Sequence, residues 1–190
     1  IRLFVEKNTG RLIVRRRVTS GKLVDTPYGQ ELVQSDADVD LPGRFFQAIK
    51  SSLPNDSYGG TDVFGSFWTI EALTAEILRH LKTRADRLLE KEIDRVVMGR
   101  PVYFSSDPEQ DALAEQRLRE AAGLAGFREI RFVYEPVGAA LAYEEELRRE
   151  ETAFVFDFGG GTLDFSVVRL GPGHARQPDR RQDILAVGGL

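Results

Sequence analysis

The chain contains no cysteine. Disulfide stapling, thiol nucleophiles and thiolate metal sites are therefore excluded, and the composition suits a reducing compartment. No continuous apolar run is long enough to cross a bilayer, and the first residues lack the basic-then-apolar pattern of an export signal, so a cytoplasmic location is expected. Net charge is small: 26 basic and 30 acidic side chains leave −4 at pH 7. With the two signs mixed along the chain, neither nucleic acid nor an anionic membrane is expected as a partner. The run Arg15-Arg16-Arg17 is a local exception, and beside Leu12, Ile13, Val14 and Val18 it reads as the wet part of a small sheet. His80 and His174 are the only two histidines. Neither pairs with another ligand in the sequence, so no transition-metal site is expected and both read as surface residues.

What is present is a folding composition. Apolar residues make up 42% of 190 residues, twelve of them Phe, enough for the core of one domain or two small lobes. Residues 1 to 35 alternate apolar stretches with Gly and polar turns, which predicts short antiparallel strands. Phe45, Phe46, Ile49 and Leu53 recur at helical spacing and predict a short helix carrying Lys50. From Leu53 to Gly65 the turn-rich composition predicts a connector or lobe boundary. A long helix follows over Ile70 to Leu89, its apolar stripe formed by Leu73, Ile77, Leu81, Leu88 and Leu89, with Arg79, Lys82, Arg84 and Glu90 facing water. Then come a strand over Ile93 to Met98, a helix ending near Gly126 and a strand through Ile130, Phe132 and Val133. That alternation predicts a layered α/β domain. Pro136 suits the first turn of another helix, and Glu144 to Glu151 reads as a solvated helix end and connector. Ala153 to Phe156, Leu163 to Leu170 and Ile184 to Val187 complete the strands.

The most informative stretch is Phe154 to Phe165, FVFDFGGGTLDF. Gly159, Gly160 and Gly161 remove every Cβ from the bend between two strands, so successive N–H groups can converge on phosphate oxygens. Thr162 adds a hydroxyl donor. Asp157 beside an anion site would repel phosphate unless a cation lies between them, which implies magnesium. Asp164 follows the same logic, or holds the hairpin in shape by hydrogen bonding. The Gly cluster joins strand to strand, which is neither a P-loop nor a dinucleotide fingerprint.

Glu135 stands at the end of a strand and the start of a helix, where α/β domains place working residues. It can orient an attacking water or a magnesium-bound water; helix capping is the alternative. Lys50 can reach a terminal phosphate, although as a residue type it is commonly an ordinary surface lysine.

These residues resemble part of the nucleotide-binding domain of the seventy-kilodalton heat-shock chaperones, a branch of the actin and sugar-kinase ATPase superfamily. The resemblance rests on Phe156 to Phe165, Tyr134 to Tyr143 (YEPVGAALAY), the strand exit Gly99 to Phe104 (GRPVYF), Ala121 to Phe127, and more faintly Ala48-Ile49-Lys50. It covers residues 40 to 190 and implies an actin-like ATPase (ribonuclease H-like) α/β fold, incomplete here. Residues 1–66 would form a small outer lobe, 67–150 the first core lobe, and 151–190 the beginning of the second. It further implies ATP or ADP with Mg2+ as cofactors. Lys50 would approach the γ-phosphate, Glu135 and Asp157 would act through magnesium and its waters, and Gly160, Gly161 and Thr162 would cradle phosphate. The Pro101 exit and the Glu135-Pro136 turn would couple nucleotide state to the rest of the chaperone. Client proteins and co-chaperones are the implied partners.

Departures from the pattern are specific. Val137 and Gly138 replace the family's Thr-Ala after Glu-Pro, and Ser105 to Leu113 is longer than usual, which resembles a divergent bacterial member. The family's Asp-Leu-Gly-Thr-Thr loop has no counterpart ahead of Ile1, and its adenosine-binding half would follow Leu190. A small-molecule kinase or phosphatase, or an actin-like structural or regulatory protein, remains an alternative on the same fold. Residues 1–190 alone are expected to give weak or no ATP turnover; ordinary magnesium-dependent turnover by this chain would contradict that.

Overall fold

The computed structural model describes the backbone of residues 2–6, 12–15, 20–26, 29–35, 43–46, 48–158 and 163–189, and the side chains of residues 46, 48–158 and 163–189. Strand β1 (Arg2–Glu6) pairs antiparallel with β2 (Leu12–Arg15), and β3 (Ser20–Thr26) pairs antiparallel with β4 (Gly29–Ser35). The short antiparallel strands expected over residues 1 to 35 are therefore present. On its other side β1 pairs with β5 (Gly43–Phe46).

That last pairing corrects the helix expected from Phe45 to Leu53. Phe45 and Phe46 are in a strand, and only Ile49–Ser52 is helical, a single 3-10 turn entered through Ala48 at φ 54. The reason is that the apolar residues serve two different cores. Phe46 packs with Val63 and Leu73, whereas Leu53 packs with Ile70, Ala114 and Leu118. The connector from Leu53 to Gly65 is also more structured than its composition suggests. It ends in a hairpin of β6 (Gly60–Val63) and β7 (Ser66–Thr69). Both loop residues, Phe64 and Gly65, have positive φ (52 and 84), the geometry of a tight two-residue hairpin that usually announces itself by Asn-Gly. With Phe in the first position the signal is hidden.

Helix α1 (Ile70–Leu88) starts where the Thr69 hydroxyl accepts a hydrogen bond from the Ala72 N–H at 3.1 Å. Its expected stripe is half right. Leu73 is fully buried, but Leu81, Leu88 and Leu89 are exposed. Lys82, expected in water, is buried instead, its ammonium on Asp86 at 2.8 Å and its stem along Gly126. β8 (Arg95–Arg100), α2 (Pro108–Leu124), β9 (Glu129–Tyr134) and α3 (Glu135–Glu144) then follow in the expected order, with β8 and β9 parallel and Gly99 opposite Val133. β8 begins later than expected and runs through Gly99 to Arg100. Asp107 caps α2 by accepting from Glu109 N–H at 2.8 Å and Gln110 N–H at 3.3 Å.

The last sheet is antiparallel, in the order β10 (Glu151–Phe158), β11 (Leu163–Leu170), β12 (Ile184–Gly189). Asp157 lies inside β10, not beyond its end. The apolar run of β10 serves two faces by strand alternation. Val155 joins Val168, Leu170 and Ile184 against Val137 and Ala140 of α3. Phe154, Phe156 and Phe158 point the other way and are exposed, with the rings of Phe154 and Phe156 edge to face at 4.4 Å. Gly188 leaves room for the Phe165 ring, which an added Cβ would meet at 2.3 Å.

The stretch from Glu144 to Glu151, expected in water, is largely exposed, but its first residue, Glu144 at the end of α3, is buried. Its carboxylate accepts from Gly171 N–H at 2.8 Å and receives the Arg180 guanidinium at 2.8 and 2.9 Å. Arg180 also reaches Asp183, whose other oxygen lies 2.7 Å from His174 Nδ1, while His174 Nε2 lies 3.0 Å from Glu150. His174 is thus wedged between carboxylates instead of free at the surface. Burial alone would raise the Glu144 carboxyl, but Arg180 and the Gly171 N–H outweigh it and hold it below its ordinary 4.5. Arg180 holds Asp183 below its ordinary 3.8.

Two stability predictions follow from this packing. Leu170→Ala, on the buried face, should cost about 2–5 kcal/mol, whereas Phe158→Ser on the open face should stay within roughly 0.5 kcal/mol, compared by urea unfolding. Carboxylates depressed in the folded state stabilise it above their unfolded values, and that contribution fades as pH falls through the folded ones. Arg180→Ala should therefore move the acid-unfolding midpoint to higher pH; an unmoved midpoint in a circular-dichroism titration would count against the network.

Candidate functional site

The acidic side chains and the lysine singled out in the sequence form two pairs, Lys50 with Glu135 at the start of α3 and Asp157 with Asp164 across β10 and β11. The helix runs from Glu135 to Glu144, and Glu144 holds Gly171, just beyond the end of β11. Along its length α3 packs Val137 and Ala140 against Val168 and Leu170 of β11. Glu135 accepts a hydrogen bond from Lys50 Nζ at 2.6 Å across 85 residues of sequence. The structure thus brings these two expected residues together. Both remain open to solvent, Lys50 at 48% and Glu135 at 28% side-chain exposure, so they can exchange partners for a ligand. Gly99 makes the room: a Cβ there would stand 3.1 Å from Glu135 Cγ.

Asp157 and Asp164 are directly opposed across β10 and β11, which puts both carboxylates on the face that α3 covers. Like charges in that register are unfavourable unless something lies between or beside them. Asp164 is 1% exposed. Its Oδ1 accepts from Val102 N–H at 2.7 Å, a bond to the irregular segment after β8 and not one within the hairpin. Its Oδ2 is buried without a partner among the described residues. Gly189, opposite Asp164, leaves space for the carboxylate, since a Cβ there would come within 2.7 Å of Oδ1.

This donor set fits a magnesium ion. Magnesium uses one or two carboxylates and completes its shell with waters and phosphate oxygens, so two opposed Asp side chains, one with an orphaned buried oxygen, suffice for the protein's share. Among the described residues no cluster of three or more His, Asp or Glu is placed to hold a metal. The remaining expected contacts, Gly159, Gly160, Gly161 and Thr162, lie outside the described residues.

The strand exit at Pro101 is held by a group that sequence reasoning missed. Arg100 is buried, donates from Nε to the Pro101 carbonyl at 3.1 Å, and meets both oxygens of Asp111 at 2.9 and 3.1 Å. It also bonds Glu115 and stands over the rings of Phe104 and Tyr134 at 5.1 and 5.7 Å. Asp111 in turn accepts from Phe104 N–H at 2.6 Å. The irregular backbone between β8 and α2 is thereby tied to α2 through Asp111 and to β11 through Asp164. Two clefts of about 520 and 410 Å3 flank α2 and share Glu115 and Arg119, and neither is lined by Lys50, Glu135 or Asp157.

A sequence model of the Hsp70 protein family matches residues 31–178, well over half of the chain. The matched span contains Lys50, Glu135, Asp157, Asp164 and the Gly159–Thr162 bend, and stops short of Arg180 and Asp183.

Removing the Asp164 carboxylate leaves the Val102 N–H buried without an acceptor, which costs about 1–3 kcal/mol. Asp164→Ala should show that loss in urea unfolding, and Asp164→Asn, which keeps an acceptor oxygen, should recover part of it. Equal stability of the two variants would mean that the Val102 bond contributes nothing.

Proposed function

The chain belongs to the Hsp70 family, and from that premise we propose that it is an ATP-binding, ATP-hydrolysing chaperone-like protein whose nucleotide state drives conformational change. At the level of the family, ATP-binding chaperone-type function follows from membership; hydrolysis, and the residues that perform it, are the proposal. The observation that carries it is the 2.6 Å pair of Lys50 and Glu135, assembled at the start of α3. Residues 1–66, 67–150 and 151–190 are proposed as outer lobe, first core lobe and start of the second, with unfolded clients and co-chaperones as partners and the cytoplasm as the setting. α3 falls in the second of these spans yet packs on β11, which makes it the element through which the two core lobes would move together.

In the proposed reaction a water oxygen attacks the γ-phosphorus, the bond to the β-phosphate bridging oxygen breaks, and ADP and inorganic phosphate are formed. Glu135 accepts a hydrogen bond from that water, orients it and takes its proton as the P–O bond forms. Lys50, released from Glu135 by the incoming phosphate, neutralises charge on the transferred group. Asp157 and Asp164 are the residues that would hold magnesium, and Gly159 to Thr162 would present N–H and hydroxyl donors to phosphate. When bound, magnesium neutralises the phosphate oxygens.

The test is ATP hydrolysis by the full-length protein with and without magnesium, beside Lys50→Ala, Glu135→Ala and Asp157→Ala. Each substitution should lower kcat by about 10²–10³-fold, the usual effect of removing one transition-state group. Full activity in all three variants of an active protein would dismiss the site.

A further inference from the structure

The turn that carries Lys50 does not hold itself. It is one turn of 3-10 helix, closed by Ser51 N–H to Ala48 at 3.0 Å and Leu53 N–H to Lys50 at 3.2 Å, and entered through a non-glycine residue in the left-handed region. A turn that short, begun by a conformation that costs of order 1 kcal/mol, persists only when its surroundings impose it. Ile49 and Leu53 pack into the neighbouring cores, and Arg117 of α2 bonds the residues that follow the turn. One guanidinium nitrogen, Nη1, donates to the carbonyls of both Leu53 and Asn55, at 2.9 and 2.8 Å. Nε stands 3.1 Å from Glu71, in the first turn of α1.

Arg117 is 8% exposed and lies on the face of α2 that buries Ala114, Leu118 and Ala121. Burying a guanidinium there costs several kcal/mol of desolvation, and an apolar side chain would pack the same space without that cost. Its gain is therefore geometric: it ties the residues after Lys50 to two helices at once. The same helix reaches the other half of the pair, because Arg119 donates to the Ile130 carbonyl of β9 at 3.1 Å, and β9 leads directly into Glu135.

We propose that Arg117 is a positioning residue for Lys50, fixing the ammonium in register with Glu135 by clamping the Leu53 and Asn55 carbonyls. This rests on the reading of Lys50 as the phosphate-facing cation, and the test separates the two. In the full-length protein, the acetylation rate of Lys50 by acetic anhydride is followed by mass spectrometry, with exposed Lys91 as internal reference and Glu135→Gln as the control for a lost partner. Arg117→Met should raise the Lys50 rate roughly two- to fivefold, the range open to an exposed pair worth up to about 1 kcal/mol, with Lys91 unchanged. In steady-state ATP hydrolysis Arg117→Met should lower kcat more than it raises KM. That loss should vanish in a Lys50→Ala background, because the two residues act in series. An unchanged Lys50 rate in a folded Arg117→Met protein, or a kcat loss that persists without Lys50, would overturn the proposal. Should Arg117→Met not fold, Glu71→Gln, which frees Nε, should raise the Lys50 rate in the same direction, and no rise would again count against it. If the wild type proves inactive toward ATP, the functional reading fails while the acetylation rates still decide the role of Arg117.

Discussion

The bond from Val102 N–H to the buried carboxylate of Asp164 is a polar tie between two packing units that also meet through α3 and the β9 residues Val133 and Tyr134. On one side stands the parallel pair of β8 and β9 with α1 and α2, and on the other the antiparallel sheet of β10, β11 and β12. Between them the chain leaves β8 through Pro101 and Val102, both buried, in backbone that has no ladder to satisfy it. Every polar group of such a segment needs a partner. Asp164 supplies one from the second sheet, and Arg100 and Asp111 supply partners for the Pro101 and Val102 carbonyls and the Phe104 N–H from within the first unit. The exit is consequently a joint whose position depends on both units.

Around that joint, placement comes from buried charged groups and chemistry from exposed ones. The Lys50–Glu135 pair is half open to water, where an ion pair adds at most about 1 kcal/mol, so it does little to hold the fold. Its geometry is set from behind: by Arg117 on the lysine side, and on the glutamate side by Gly99, Pro136 and the packing of α3 on β11. Arg100, Arg117 and Arg180 are each held by carboxylates. The division suits a site that must release one partner to accept another without losing its shape.

Much of this was legible in the chain itself, and the failures share a cause. The order from α1 to α3 and the three last strands follow from local pattern, because capping residues, Pro136 and the apolar runs act within a few residues. Lys50 was visible only through the faint Ala48-Ile49-Lys50 resemblance. The helix around it failed because Phe46 and Leu53 feed different cores, a division that spacing cannot report. The β6–β7 hairpin was missed because Phe64 occupies a loop position where Asn or Gly is the usual sign. By residue type Lys82 and Glu144 belong in water, whereas Asp86 and Arg180 neutralise them in place. A signal for Arg117 did exist: it falls three residues after Ala114 and one before Leu118, so an α-helix that buries both must bury the arginine with them.

In the proposed site Lys50 and Glu135 cancel, which leaves Asp157 and Asp164 as two opposed carboxylates, one with a buried oxygen that has no partner among the described residues. A polyphosphate approaching that site meets net negative charge, and the exposed lysine is already engaged. Phosphate can be held there only if positive charge arrives with it or before it, so in the proposed site anion and cation binding are linked: each raises the affinity for the other by the same factor. In the proposed site Gly159 to Thr162 would offer N–H groups to the anion, while the two aspartates on the adjoining strands would offer oxygens to the cation. Opposite charges would then be recognised a few residues apart along the chain, a physical reason for acids to flank a phosphate-binding segment.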